Sequence, residues 1–181
     1  MTAHPLCVAA DGTDQCWLAP AVEMAAAASG NWPLSPEPGP LGWTCFPRVA
    51  IRTPGVDARS VRAARDFTVA TLMRWGAAQR CEDIVIVVSE LLTNALHHAM
   101  PETRETCVRS PIRLALLQPG PCVVCAVADP SRRTPVLKGP GHLAETGRGL
   151  HVISALADIW GYTAPGDSGK VVWAMFSSAR V

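Results

Sequence analysis

Residues 84–99 read Ile-Val-Ile-Val-Val-Ser-Glu-Leu-Leu-Thr-Asn-Ala-Leu-His-His-Ala, and this stretch decides the fold. Ile84, Val87, Val88, Leu91, Leu92, Ala95, Leu96 and Ala99 fall at i, i+3, i+4, i+7, i+8, i+11, i+12 and i+15. That spacing predicts a helix with one continuous apolar face. Pro101 ends the pattern, because proline cannot continue a helix. Glu90, Asn94 and His98 stand one turn apart in succession. At about 100° per residue they share one flank, at the edge of the apolar face. A carboxylate and a carboxamide so placed suit a magnesium–phosphate site. The carboxamide oxygen ligates a hard cation, and the carboxylate orients or deprotonates a hydroxyl.

Working outward, Trp43 to Ile51 reads as a strand and Val56 to Trp75 as a second helix. The stripe of that helix is Val61, Ala64, Thr68, Leu72 and Trp75, and Gly76 stops it, as glycine does at a helix C-terminus. Downstream, Ile112–Leu117 and Val123–Ala128 are short β-forming runs around the turn Gln118-Pro119-Gly120-Pro121. Residues 130–146 form a long loop, Gly147 to Ala157 a helix that opens on glycine, and Ile159–Thr163 and Lys170–Ser177 two closing strands. The order β-α-α-β-β-loop-α-β-β predicts an α+β fold: a two-layer sandwich with a mixed, mainly antiparallel sheet and helices on one face. A doubly wound nucleotide fold would need strands alternating with helices.

The 181 residues are 49% apolar and 17% charged, which suits one folded domain. A net charge of +1 supplies no general drive toward nucleic acid or an anionic membrane. No apolar run reaches the roughly 18 residues of a membrane span, and the first residues lack a basic stretch followed by an apolar one. The expected location is therefore cytoplasmic. Residues 1–42, with prolines at 5, 20, 33, 36, 38 and 40 and alanines at 25–28, read as a flexible extension. Residues 43–181 read as the folded domain. Seven cysteines, an odd number at irregular spacing, fit free thiols. Cys122 and Cys125 are three apart on a strand, so their thiols should face opposite sides and share neither metal nor disulfide.

Two further segments carry candidate chemistry. Asp129 closes a β-forming run ahead of Pro130-Ser131, where a carboxylate can accept from an exocyclic amine such as that of adenine. Glu145-Thr146-Gly147-Arg148-Gly149-Leu150 leads from the loop into a helix. Glycines there let backbone approach a ligand, and a helix N-terminus offers free N–H groups to phosphate. Arg148, with Arg132 and Arg133, can add charge-assisted bonds. A metal-hydrolase site built on Glu90, His97, His98 and His142 fits poorly, since adjacent histidines diverge by about 100° on a helix.

Taken in order, these segments resemble the ATPase family shared by gyrase, histidine kinases and heat-shock chaperones, the Bergerat fold. Residues 84–99 resemble its N-box, and Ser89-Glu90-Leu91-Leu92-Thr93-Asn94-Ala95 is similar to the RsbW/SpoIIAB-type anti-sigma-factor serine kinases, especially their actinobacterial relatives. Asp129-Pro130-Ser131 resembles the adenine box, Gly147-Arg148-Gly149-Leu150 the glycine box, and residues 155–161 and 169–174 the closing strands. The resemblance implies ATP held between helix and loop, with Asn94 as the Mg²⁺ ligand and Glu90 as the general base toward a partner's serine. It implies that Asp129 and Ser131 meet the adenine, and that Gly147, Arg148, Gly149 and Leu150 close on the phosphates. His97 and His98 would flank the phosphates; His97 stands where relatives carry Lys or Arg, and Val171 where a threonine near the base is usual. The implied partners are a sigma factor and an anti-anti-sigma protein of STAS type, with a homodimer as the implied assembly. A catalytically weak module that acts by sequestering its partner is the alternative.

Overall fold

The computed structural model describes residues 48–55, 57–99, 112–118, 121–137, 148–164 and 169–177. The proposed extension 1–42 and the candidate residues Gly147 and His142 lie outside them. The elements in chain order are β1 (Arg48–Arg52), α1 (Ala58–Trp75), a 3-10 turn at Ala78–Arg80, α2 (Cys81–Ala99), β2 (Arg113–Gln118), β3 (Cys122–Asp129), α3 (Gly149–Leu156), β4 (Ile159–Thr163) and β5 (Lys170–Ser177). Both long helices stand where the apolar spacing placed them, with shifted starts. α1 begins at Ala58 because Asp57 caps it, accepting from the Ser60 backbone N–H at 3.0 Å and the Ser60 hydroxyl at 2.6 Å. A cap satisfies N–H groups that a helix cannot satisfy itself. Gly76 ends α1 at φ 71°, and its N–H and that of Ala77 reach back to the carbonyls of Met73 and Leu72.

The five strands run in the order β1-β2-β3-β5-β4, and every described pairing is antiparallel. The mainly antiparallel sheet expected from sequence is found, and among the described strands the pairing is antiparallel throughout. β3 and β4 do point the same way, but β5 folds back from β4 and inserts between them, so they never pair. All described helices pack on one face, as expected. Leu114, Leu116, Val123, Cys125, Val127, Val172, Ala174 and Phe176 on that face share a core with Ile84, Val87, Val88, Leu91, Leu92 and Ala95 of α2 and with Leu72 of α1. The opposite face gathers Ala115, Leu117, Val124, Ala126, Val171, Trp173 and Met175 in a second cluster made of strand residues alone. Cys122 belongs to the second face and Cys125 to the first, so the two thiols point apart as the spacing required. Burial pushes the Cys125 thiol up to about 12, which keeps it protonated and unreactive.

One end of the sandwich is fastened by Arg80, only 8% exposed. Its guanidinium donates to Asp158 at 2.6 Å, to Asp83 at 3.2 Å and to the Leu156 carbonyl, and lies 5.1 Å from the ring centroid of Phe176. The other oxygen of Asp158 accepts from the backbone N–H and hydroxyl of Ser177, each at 2.6 Å. The start of α2, the end of α3 and the end of β5 are thus tied together. Among the described residues no helix is long and apolar enough to cross a membrane.

Burial works to raise the Asp158 carboxyl, but the Ser177 hydrogen bonds and the charge of Arg80 outweigh it and hold the group below its ordinary 3.8. A carboxyl lowered in the folded state stabilises above its unfolded pKa, and that contribution is lost as pH falls through the folded value. Asp158→Asn should therefore lower the melting temperature at neutral pH, by the equivalent of about 1–3 kcal/mol. The gap from wild type should shrink once pH drops below 3.8; melting curves across that range check it.

Candidate functional site

The Arg80 staple orients the rest of the domain. α2 starts and α3 ends at that end of the sheet, as do the last residues of β5. The chain then fixes what lies at the other end: the C-terminal half of α2, the N-terminus of α3, the last residue of β3 and the first of β5. Glu90, Asn94, Gly149, Asp129 and Lys170 are all carried there. A cavity of about 110 Å³ lined by Gly76, Gln79, Arg80, Gln118 and Phe176 sits at the stapled end and has no part in this constellation.

Two close approaches build the site. The first joins α2 to α3. A side chain at Gly149 would place its Cβ 2.8 Å from Glu90 Oε2 and 3.1 and 3.3 Å from the carboxamide atoms Nδ2 and Oδ1 of Asn94. No Cβ fits at 2.8 Å, so glycine is what lets the helix backbone touch both side chains. Glu90 and Asn94 are half-buried, which matches their position at the rim of the apolar stripe. The first hydrogen bond of α3 runs from the Val152 N–H to the Arg148 carbonyl at 3.0 Å. The positive end of the helix dipole faces the same region as Glu90 and Asn94.

The second approach joins β3 to β5. Gly169 has φ +100°, and a Cβ there would fall 2.1 Å from the Asp129 carbonyl oxygen. Only glycine lets β5 begin so close to the end of β3. Lys170 is thereby set opposite Asp129 in register. Its Nζ donates to Asp129 Oδ1 at 2.9 Å and to the Ser131 carbonyl at 3.3 Å. The pair is buried, with side chains 6% and 3% exposed. The Ser131 N–H also donates to Asp129 Oδ1, at 2.8 Å, and the Ser131 hydroxyl accepts from the Arg133 N–H at 3.2 Å.

The structure thus brings Glu90, Asn94 and Gly149 together, and separately Asp129, Ser131 and Lys170, at one end of one sheet face. Arg148 is exposed at the start of α3, and Leu150 packs against the core. His97 is exposed and stands outside both groups. The side chain of His98 lies outside what is described. Lys170 escaped the sequence reading, although strand alternation could have found it. Val171, the residue compared with a family threonine, faces the second cluster on the opposite side of the sheet. The side chain beside Asp129 is Lys170.

The donor set fits a magnesium nucleotide. Glu90 and Asn94 offer hard oxygen donors, and the glycine-lined helix start offers N–H groups to phosphate. Among the described residues no cluster of three or more His, Cys, Asp or Glu could hold a metal on its own.

Residues 56–176 match the histidine kinase-like ATPase domain. The chain belongs to that family. No curated protein matches it. Among solved structures it is similar to the RsbU and RsbW domains of Rv1364c from Mycobacterium tuberculosis, with a TM-score of 0.51 and 21% identity over 72% of this chain. The chain spans 32% of that protein's length in the structure, and a likeness at this identity speaks for the fold. The family places ATP binding at this domain, and the antiparallel five-stranded sheet with its helices on one face is the architecture expected of it.

The two glycines should fail differently. Gly169→Ala meets backbone and a positive φ, and should destabilise the domain by about 2 kcal/mol or more in urea denaturation. Gly149→Ala meets only the movable ends of Glu90 and Asn94. It should leave the denaturation midpoint nearly unchanged while weakening nucleotide binding.

Proposed function

We propose that the chain is a cytoplasmic ATP-dependent serine/threonine protein kinase of the RsbW kind. In this reading it phosphorylates an anti-anti-sigma partner of STAS type, sequesters a sigma factor, and works as a homodimer. The observation that carries this reading is the convergence of Glu90 and Asn94 on the Gly149 backbone. In this reading Glu90 takes the proton of a serine hydroxyl presented beside the phosphates. Asn94 Oδ1 ligates Mg²⁺, which when bound neutralises phosphate charge. The N-terminus of α3, with the exposed Arg148 and with Gly147 just outside the described residues, holds the phosphates. Asp129, steadied by the Ser131 N–H, accepts from the adenine amine. Phosphoryl transfer asks chiefly for positioning and charge neutralisation, and this inventory supplies both. Neither His97, which is exposed, nor His98 is needed for these roles.

Calorimetry with ATP tests the site. Binding should require Mg²⁺ in the wild type, and Asn94→Ala should abolish that requirement along with most of the affinity. Glu90→Gln should still bind ATP yet transfer phosphate to a STAS-type partner at a rate lower by about 10²–10⁴-fold. Transfer by Glu90→Gln at the wild-type rate contradicts the base assignment. ATP binding without transfer by the wild type points to the alternative, a module that acts by sequestering its partner.

A further inference from the structure

We propose that Lys170 is a base-reading residue, which donates directly to the ring nitrogen N1 of adenine while Asp129 accepts from the neighbouring amine. This rests on the nucleotide reading above and adds to it a residue and a selectivity. The starting observation is how the buried pair spends its hydrogen-bonding capacity. Both bonds to Asp129 fall on Oδ1, from Lys170 Nζ and from the Ser131 N–H. Oδ2 is left to accept. An ammonium has three N–H donors, and Lys170 uses two, on Asp129 and on the Ser131 carbonyl. Among the described residues, one donor and one acceptor of the pair remain without a partner. The two side chains are almost fully shielded, so a bond made there is worth more than one made in water.

Register fixes the direction in which the pair faces. Asp129 and Lys170 are opposite one another across β3 and β5. They continue the alternation of Val127 and Val172, which face the helices. The pair therefore faces the layer that holds Glu90, Asn94 and Gly149. An acceptor next to a donor matches the edge of adenine, whose amine donates and whose N1 accepts. Guanine and hypoxanthine present the reverse order, a carbonyl O6 and an N1–H. A 6-oxopurine held in the adenine orientation mismatches both members: the carboxylate meets an oxygen and the ammonium meets an N–H. A hydroxyl in the place of Lys170 would either donate or accept and would tolerate the second mismatch. The ammonium only donates, so it enforces selection against 6-oxopurines.

Calorimetric titration of the full chain with ATP, 1-deaza-ATP and ITP tests the proposal. 1-Deaza-ATP keeps the amine and replaces N1 with C–H. Wild type is expected to bind it at least about tenfold more weakly than ATP. Lys170→Met should bind ATP more weakly, show no preference between ATP and 1-deaza-ATP, and show a narrower ATP-to-ITP ratio. Lys170→Thr should narrow that ratio as well. Thermal melts check that the variants fold. If neither does, the wild-type comparison of ATP with 1-deaza-ATP decides. Equal wild-type affinity for those two overturns the role of Lys170 and leaves ATP binding intact, as does a Lys170→Met variant that keeps the wild-type preference. No binding of any of the three by wild type overturns the nucleotide reading, and this proposal with it.

Discussion

The contact on which the site depends is the approach of the α3 backbone at Gly149 to Glu90 and Asn94 of α2. Two helices meet side chain to backbone there, at a distance where one added methyl group would have to push the Glu90 carboxylate and the Asn94 carboxamide aside. The approach is possible because the apolar stripe of α2 is held on the sheet by Val87, Val88, Leu91 and Leu92. That register turns the polar flank of α2 toward the start of α3. Ile153, fully buried in the same core, anchors α3 from its own side. Packing therefore sets the geometry of the polar groups. A shift of one residue in α2 would rotate Glu90 and Asn94 by about 100° and dismantle the site.

The second junction, between β3 and β5, obeys a different constraint. A buried lysine and a buried carboxylate are costly to desolvate, and removing either partner leaves the other uncompensated. The pair is kept where Gly169 forces the strand ends together, and the Ser131 backbone supplies both an N–H to the carboxylate and a carbonyl to the ammonium. Such an arrangement resists movement. At the far end of the sheet Arg80 plays a comparable part with Asp158, Asp83 and the Leu156 carbonyl. The domain is fastened by charge at both ends and by apolar packing between them, and the candidate chemistry lies at one end only.

Much of this was legible in the sequence. The α2 stripe repeats over four turns, and a pattern of that length leaves little ambiguity about period or face. Glu90 and Asn94 could be placed at its edge from angle alone, and the strands around Gln118–Pro121 followed from turn chemistry. Other features could not be read. Among the described strands no pair is parallel, because β5 inserts between β3 and β4, a choice of topology that local pattern does not encode. Lys170 read only as the first residue of a closing strand, since its burial depends on a partner 41 residues away. Val171 stands where relatives usually carry a threonine near the base, and strand parity puts it on the other face. The start of α1 moved because Asp57 and Ser60 formed a cap, which outweighs an apolar residue one position earlier.

The central claim is that a magnesium nucleotide binds where α2, α3 and the β3/β5 junction meet. Hydrogen–deuterium exchange with and without a non-hydrolysable ATP analogue and Mg²⁺ tests it most directly. Protection should rise in peptides that carry residues 90–97, 129–133, 148–152 and 169–171, with no change around Arg80 and Gln118. Protection centred on the Arg80 end, or no change anywhere at saturating analogue, would contradict the account.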